Sequence, residues 1–355
     1  MFSFNRTFVL PFKYSIPNSI NLHIAKVSYL KRYLKYLKRS LFLKLKNQNH
    51  LELFKITSIH KKILWINISA PSLGDSLMDL SSRVLLENRY IDLFTDSKNA
   101  NLYLDDDFFS NIFTSTNDVN ENNYDLVIID SFSTRSVTVK TKVAPTLNYV
   151  GMFGFFNGPE VNRTLFSFHQ LNNLLEYQMS ESEILKIAKN YISISKEDKE
   201  LVRQLIPNNY ISVVVGGEWK YKTYDKWLEL IKKIIQSNQE LNIILIGSIN
   251  ATKASNDLIS NLPQCNFYDL VAKLTFNQTA EVIRNSDILI CCDGGLMHAA
   301  NALNTKVVAL FAKLNPEILI TESCISYNLY DDHTVNNLSV DDVFKKYIEA
   351  SNNLA

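Results

Sequence analysis

Glycine and proline are scarce in this chain, with nine Gly and eight Pro among 355 residues. There is no low-complexity tract and no internal repeat of short period, so the composition is that of a globular protein. The four cysteines, Cys265, Cys291, Cys292 and Cys324, form no C-x-x-C pair. They read as reduced core residues of a cytoplasmic protein, with no zinc framework. The six histidines show no H-x-x-x-H spacing. No apolar run approaches 18 residues, so nothing is predicted to span a bilayer. The early apolar patch Phe8–Phe12 is interrupted by Pro11 and followed by Lys13, unlike a signal peptide. G-x-G-x-x-G and G-x-x-x-x-G-K-[ST] are both missing, which argues against a dehydrogenase or a phosphate-loop NTPase.

What is present is 46% hydrophobic and 21% charged residues, enough chain to bury two ordinary cores. The net charge of +1 hides an asymmetry: residues 1–62 hold thirteen Lys and Arg against the single acid Glu52, and the remainder carries an excess of acid. A basic arm on an acidic body suggests an anionic surface as partner rather than nucleic acid. Within that arm, residues 20–46 have a helical period with an apolar stripe at Val27, Leu30, Leu34, Leu37 and Leu41. Lys31, Arg32, Lys35, Lys38 and Arg39 fall off the stripe, among Tyr29, Tyr33 and Tyr36. Two readings stand: the stripe packs onto the following domain, or the helix lies on an anionic membrane.

From residue 61 the pattern alternates between apolar runs and helical segments. Ile63–Ile68, Tyr90–Phe94, Asp125–Asp130 and Leu147–Met152 are predicted strands, with a helix over Ser76–Asn88. Residues 160–207 are helical in pattern: Leu165–Tyr177, Ser180–Ile192 and Lys196–Leu205. After the breaker Pro207-Asn208-Asn209 the alternation restarts. Strands are expected at Ile211–Val215, Asn242–Gly247, Ile288–Cys292 and Lys306–Phe311, with helices at Tyr224–Gln236, Thr252–Asn261, Phe276–Asn285, Gly295–Leu303 and Val340–Ser351. This implies an α/β protein with two Rossmann-like doubly wound domains facing a central cleft and an N-terminal helical extension. The expected division is 1–60 basic extension, 61–205 first domain, 206–335 second domain and 336–355 C-terminal helix.

The most informative stretch is Ile288–Leu303: a buried-strand run, Asp293-Gly294-Gly295, then a helix carrying His298 in its first turn. Glycines there permit φ > 0 or close backbone approach, and a helix N-terminus presents free N–H groups and a positive dipole end to a phosphate. Asp75, after Gly74, reads either as a cap for the helix that follows or as a general base. Asp105-Asp106-Asp107 offers a D-x-D metal motif but reads better as a loop or helix cap.

Asp287–Leu310 resembles the nucleotide-sugar site of the lipopolysaccharide core heptosyltransferases, glycosyltransferase family 9, which carry Asp-Ser/Thr-Gly-Leu-x-His before an Ala-rich helix. Here the motif stands as Asp293-Gly294-Gly295-Leu296-Met297-His298, with Gly294 in place of Ser or Thr. Lys220–Trp227 resembles the family's Lys-x-Trp-Pro-x-x-x-Trp/Tyr, with Lys222 and Thr223 replacing Trp and Pro, so either Lys220 or Lys222 is the lysine for the pyrophosphate. Leu73–Leu77 resembles the family's Gly-Asp, which assigns Asp75 as catalytic base. The resemblance spans about residues 63–350.

It implies a GT-B type, metal-independent inverting glycosyltransferase without a cofactor, in which the first domain takes the acceptor and the second the donor. Donor contacts would come from Lys220, Lys222, Gly247, Leu274, Asp293, Gly294, Gly295, Leu296 and His298, and acceptor contact from Arg135. The implied substrates are ADP-heptose and the lipid-linked inner core of lipopolysaccharide or lipooligosaccharide. The implied site is cytoplasmic, on the inner face of the inner membrane. The alternatives are the same fold with another donor sugar, or a catalytically silent nucleotide-sugar-binding paralogue.

Overall fold

The computed structural model describes residues 4–7, 9–12, 28–70, 72–158 and 160–352. The chain forms two compact units, Met1–Ala188 and Lys189–Ala355. Residues 189–205, expected at the end of the first domain, therefore go with the second unit.

The first unit is built on five parallel strands: β1 (Lys62–Asn67), β2 (Tyr90–Thr95), β3 (Asn111–Phe113), β4 (Leu126–Ser131) and β5 (Tyr149–Gly154). Their spatial order is β3-β2-β1-β4-β5, the doubly wound order that reverses between β1 and β4. Ile63, Leu64, Trp65 and Ile66 of β1 and Leu126, Val127 and Ile128 of β4 are fully buried. Strands covered on both faces read as unbroken apolar runs, which is why these two were visible in the sequence.

The N-terminal arm contributes α1 (Tyr29–Leu45). Val27 and the rest of 20–27 lie outside the described residues. The face that α1 buries is Arg32, Tyr36, Ser40 and Leu43. Tyr36 packs on Phe155 at 5.0 Å between ring centroids, and Lys35 reaches Asn157 Oδ1 at 2.5 Å. Of the expected stripe, Leu30, Leu34 and Leu41 are exposed and Leu37 is only partly covered. Two rows on this helix have the helical period, and periodicity does not distinguish the row that meets the core. Downstream, Leu53 N–H donates to Tyr149 O at 2.7 Å and Tyr149 N–H to Leu51 O at 3.0 Å, tying the arm to β5.

Where one helix was expected over Ser76–Asn88, the chain forms α2 (Leu73–Asp79) and then a 3-10 segment, Ser81–Leu86. Ser72 caps α2, its Oγ accepting Asp75 N–H at 3.2 Å. Asp75 is thus the third residue of the helix rather than its cap. The short helix α3 (Ser97–Ala100) precedes β3, and α4 (Thr134–Val143), α5 (Arg163–Leu175) and α6 (Glu181–Ile187) complete the unit.

The second unit holds α7 (Lys196–Leu205) and six parallel strands: β6 (Tyr210–Val214), β7 (Asn242–Ile246), β8 (Asn266–Asp269), β9 (Ile288–Cys292), β10 (Val307–Ala312) and β11 (Ser326–Asp331). The order β11-β10-β9-β6-β7-β8 again reverses at its centre, between β6 and β9. Helices α8 (Trp227–Ser237), α9 (Thr252–Asn261), α10 (Phe276–Arg284), α11 (Gly295–Leu303), α12 (Pro316–Leu319) and α13 (Val340–Asn352) lie between and after the strands. One core joins Val213, Ile243, Leu245, Ile290, Val308 and Leu310 of the sheet to Trp227, Leu230, Ile231, Val343 and Tyr347 of its helices.

Candidate functional site

In the second unit the carboxyl ends of β6, β7, β9 and β10 carry the candidate donor residues. Gly216 and Gly217 follow β6 and are pressed between two turns. A Cβ at Gly216 would stand 2.7 Å from Ala251 Cβ, and one at Gly217 would stand 2.5 Å from Thr223 Oγ1. Gly247, after β7, has φ +149° and leaves no room beside Ala251, so it is glycine by necessity. Its carbonyl accepts Ala272 N–H at 2.9 Å, which hangs the loop bearing Leu274 on the end of β7.

Lys220–Lys222 is one 3-10 turn, closed by Lys222 N–H to Trp219 O at 2.8 Å. The turn sends the two lysines apart: Lys220 is exposed, whereas Lys222 Nζ is ion-paired with the buried Asp293 carboxylate. Asp293 follows β9, where its N–H donates to Leu310 O at 2.9 Å.

Gly294 and Gly295 were expected to allow a left-handed backbone or a close approach. Neither is among the glycines at positive φ; Gly294 is extended at φ 173°, and the nearest atom to a Cβ placed there is 4.0 Å away. The space over the start of α11 is open, and no side chain caps that helix. Such an end keeps its first N–H groups and dipole available to an anion. Leu296 is half-buried in the first turn. His298 is buried at 3% exposure, its Nδ1 3.4 Å from Asn190 Nδ2. Asn190 precedes the second domain's first strand by twenty residues, and nothing in the local sequence linked it to His298.

Sequence reading also missed Lys313. It follows β10 at φ +67°, and Leu314 N–H donates to Ala312 O at 2.8 Å, closing a three-residue turn of the rare γ type around it. Bulky side chains avoid that region, so the turn is strained. It holds the Lys313 ammonium 4.0 Å from the Tyr221 ring centroid, with Lys222 Nζ 5.8 Å from the same ring. Lys222 is neutralised by Asp293; Lys313 has no carboxylate within ion-pair distance among the described residues.

In the first unit, Asp75 lies at the start of α2 with Ser72 Oγ donating to its Oδ2 at 2.6 Å. Arg163, at the start of α5, places Nε 3.7 Å from Asp75 Oδ1. The same guanidinium forks onto Asp79, at 2.7 and 2.5 Å. Burial pushes the Asp79 carboxyl up to about 6, against the opposing pull of Arg163. Asp75 and Asp79 are four apart on one helix face, but Arg163 is distant in sequence and was not foreseen.

Asp130, at the end of β4, accepts Ile68 N–H and Ser69 N–H at 2.8 and 2.6 Å. Ser69 Oγ lies 3.2 Å from Ser131 and Ser133 and 2.8 Å from Ser136. Arg135 is exposed, 3.6 Å from Asp96. In Asp105–Asp107 the central Asp106 is buried and paired with Arg83 at 2.5 Å, while Asp105 and Asp107 are exposed. Among the described residues no three His, Cys, Asp or Glu side chains cluster as a metal site.

The sequence profile of glycosyltransferase family 9 (heptosyltransferase) matches residues 156–335. The chain belongs to this family. It is accordingly a glycosyltransferase of the GT-B type, and the similar solved structures agree with that fold. The glycosyl transferase family 9 protein of Veillonella parvula superposes with a TM-score of 0.67 at 13% identity, over 82% of this chain and 97% of that one. ADP-heptose LPS heptosyltransferase II of E. coli gives 0.65 at 17% identity, over 82% and 99%. The E. coli heptosyltransferase WaaC, solved with ADP, gives 0.61 at 15% identity, over 81% and 99%. No curated protein matches the chain.

Proposed function

We propose that the protein is an inverting heptosyltransferase. It transfers heptose from ADP-heptose to the inner core of lipopolysaccharide or lipooligosaccharide, on the cytoplasmic face of the membrane that carries its acceptor. The observation that carries this reading is the open, uncapped helix start at Gly294–Leu296 in the second unit, with Lys222 and Lys313 flanking Tyr221 beside it.

Asp75 is the base. Its carboxylate takes the proton of the acceptor hydroxyl while that oxygen bonds to the anomeric carbon from the face opposite the nucleotide. The bond from that carbon to the phosphate oxygen breaks, and ADP leaves with the electron pair. Ser72 and Arg163 orient the carboxylate.

The negative charge that grows on the leaving pyrophosphate meets the α11 N-terminus and Lys313, with Lys222 held beside them by Asp293. His298, in the first turn of α11 with Nδ1 3.4 Å from Asn190 Nδ2, is the side-chain donor to the same phosphate. Lys220 is the outer cation of the same site, Gly247 and Leu274 border the nucleoside, and Arg135 serves the acceptor. These fixed positive groups supply what a divalent ion supplies in other glycosyltransferases, so the reaction needs no metal.

A second donor sugar is favoured by one observation: Gly294, Lys222 and Thr223 depart from the family pattern around the same site. The experiment is ADP release by the purified protein with ADP-heptose and a lipooligosaccharide acceptor, alongside other nucleotide sugars, with and without chelator. Turnover with ADP-heptose that survives chelation is expected. Turnover only with another donor selects the second reading, and none with any donor leaves a binding protein.

A further inference from the structure

We infer that the solvent face of α1 docks the protein on an anionic lipid surface, an inference that rests on the proposed lipid-linked acceptor for its purpose but not for its physical argument. Leu30, Leu34, Leu41 and Leu45 are exposed at 64, 55, 53 and 82%. At about 100° per residue these four fall within an arc of about 60°, with Leu37 at its core-side edge. That arc lies opposite the buried row Arg32, Tyr36, Ser40 and Leu43, which anchors the helix in the core of the first unit. The leucines are therefore not the spare edge of a core-facing stripe. They form a separate row pointing away from the fold.

The cations are distributed to match. Lys38 and Lys31 follow the leucine row along one side, and Lys44 stands on the other; all three are exposed. Tyr29 and Tyr33, both exposed, sit at the start of the helix. An apolar row bordered by lysines, with aromatic rings at one end, is the pattern of a helix lying in a headgroup layer. The same lysines argue against a second copy of the chain as occupant, because self-association through this face would bring like charges together. Anionic headgroups meet both features at once. The anchoring contacts of Tyr36 on Phe155 and of Lys35 on Asn157 make the docking rigid, so membrane contact orients the whole first unit.

The experiment is co-sedimentation of the full chain with vesicles containing phosphatidylglycerol and with pure phosphatidylcholine vesicles. The wild type should bind the first and not the second, with binding weakened by salt. Leu34→Glu with Leu41→Glu should reduce binding at least tenfold, and Lys31→Glu with Lys38→Glu severalfold, both with unchanged melting temperatures because these side chains are solvent-facing. Calorimetric titration with ADP runs beside it. ADP binding without any vesicle binding overturns the docking inference alone; vesicle binding without ADP binding sinks the proposed function and leaves docking standing. A wild-type dimer dissolved by the leucine substitutions, with no affinity for vesicles, would make a second copy the occupant instead.

Discussion

The ends of β1 and β4 carry Asp75, Asp79, Asp130 and the serines 69, 131, 133 and 136; the ends of β6, β7, β9 and β10 carry five glycines and the lysines 222 and 313. Both sheets run in the same order and both reverse at their centre. The difference lies in what a strand end is asked to hold. Side-chain oxygens accept and pass protons, which suits a sugar hydroxyl. Bare backbone and ammonium groups hold phosphate oxygens, and bare backbone needs glycine. On the proposed function, the same architecture carries a proton-handling end in one unit and an anion-handling end in the other.

The sharpest break of that comparison is Asp75→Asn. Turnover should fall roughly 10²–10⁴-fold, while the affinity for ADP measured by calorimetry stays the same, because the substitution touches only the proton-handling end. Equal turnover in variant and wild type would remove Asp75 from the mechanism.

Lys222→Ala tests the other end through stability. It strands the buried Asp293 carboxylate, so denaturant unfolding should show a loss on the order of 3 kcal/mol. An unchanged midpoint would mean the pair contributes nothing.

Buried titratable groups mark the first unit as well. Burial lowers His169 to about 4 from an ordinary 6.5. The folded ring stays neutral while the unfolded chain takes up a proton, so this contribution is complete above pH 6.5 and lost as pH falls towards 4. Asp79 runs the other way: its raised value favours the folded state at low pH and that contribution is lost as pH rises through about 6. His169→Leu should therefore shrink the loss of unfolding free energy between pH 7 and pH 4 by on the order of 2 kcal/mol, and an unchanged loss would exclude the ring as its source.

Lys313→Ala should weaken ADP about tenfold without weakening adenosine, the loss expected for one charge-assisted contact. Equal losses for both ligands would move Lys313 out of the phosphate site. The smallest effect belongs to Gly294→Ser. Its extended backbone and open surroundings admit the side chain, so thermal unfolding should shift stability by less than about 0.5 kcal/mol. A larger loss would mean that the bare backbone is required there.

The sequence was most legible where one strand or helix declares itself. Ile288–Cys292, Gly295–Leu303, Thr252–Asn261 and Lys196–Leu205 have the ends expected of them. The outermost strands β3, β8 and β11 did not show, because a strand paired on one side and wetted by solvent needs no apolar run. The helix expected over Ser76–Asn88 divides after Asp79, where the chain tightens into the 3-10 segment Ser81–Leu86. At the candidate site, motif residues were readable in advance, but Arg163, Asn190 and Lys313 were not. Each earns its place through a contact across many residues or a local backbone strain, and neither leaves a trace in spacing. The choice between Lys220 and Lys222 has the same character: one turn of 3-10 helix sends them in different directions.

The tie between Leu51–Leu53 and Tyr149 has a consequence for the solubility of the molecule. β5 ends the five-stranded sheet, and an outermost strand with free N–H and C=O groups is a template on which a foreign strand can polymerise. The arm occupies both backbone groups of Tyr149, and the Arg6–Glu52 pair, with Nη1 to Oε2 at 3.0 Å, fastens residues near the start of the chain over the same segment. Residues 51–53 thus cover the near end of β5, and a chain shortened to begin at β1 should aggregate more readily because that end would present an open template.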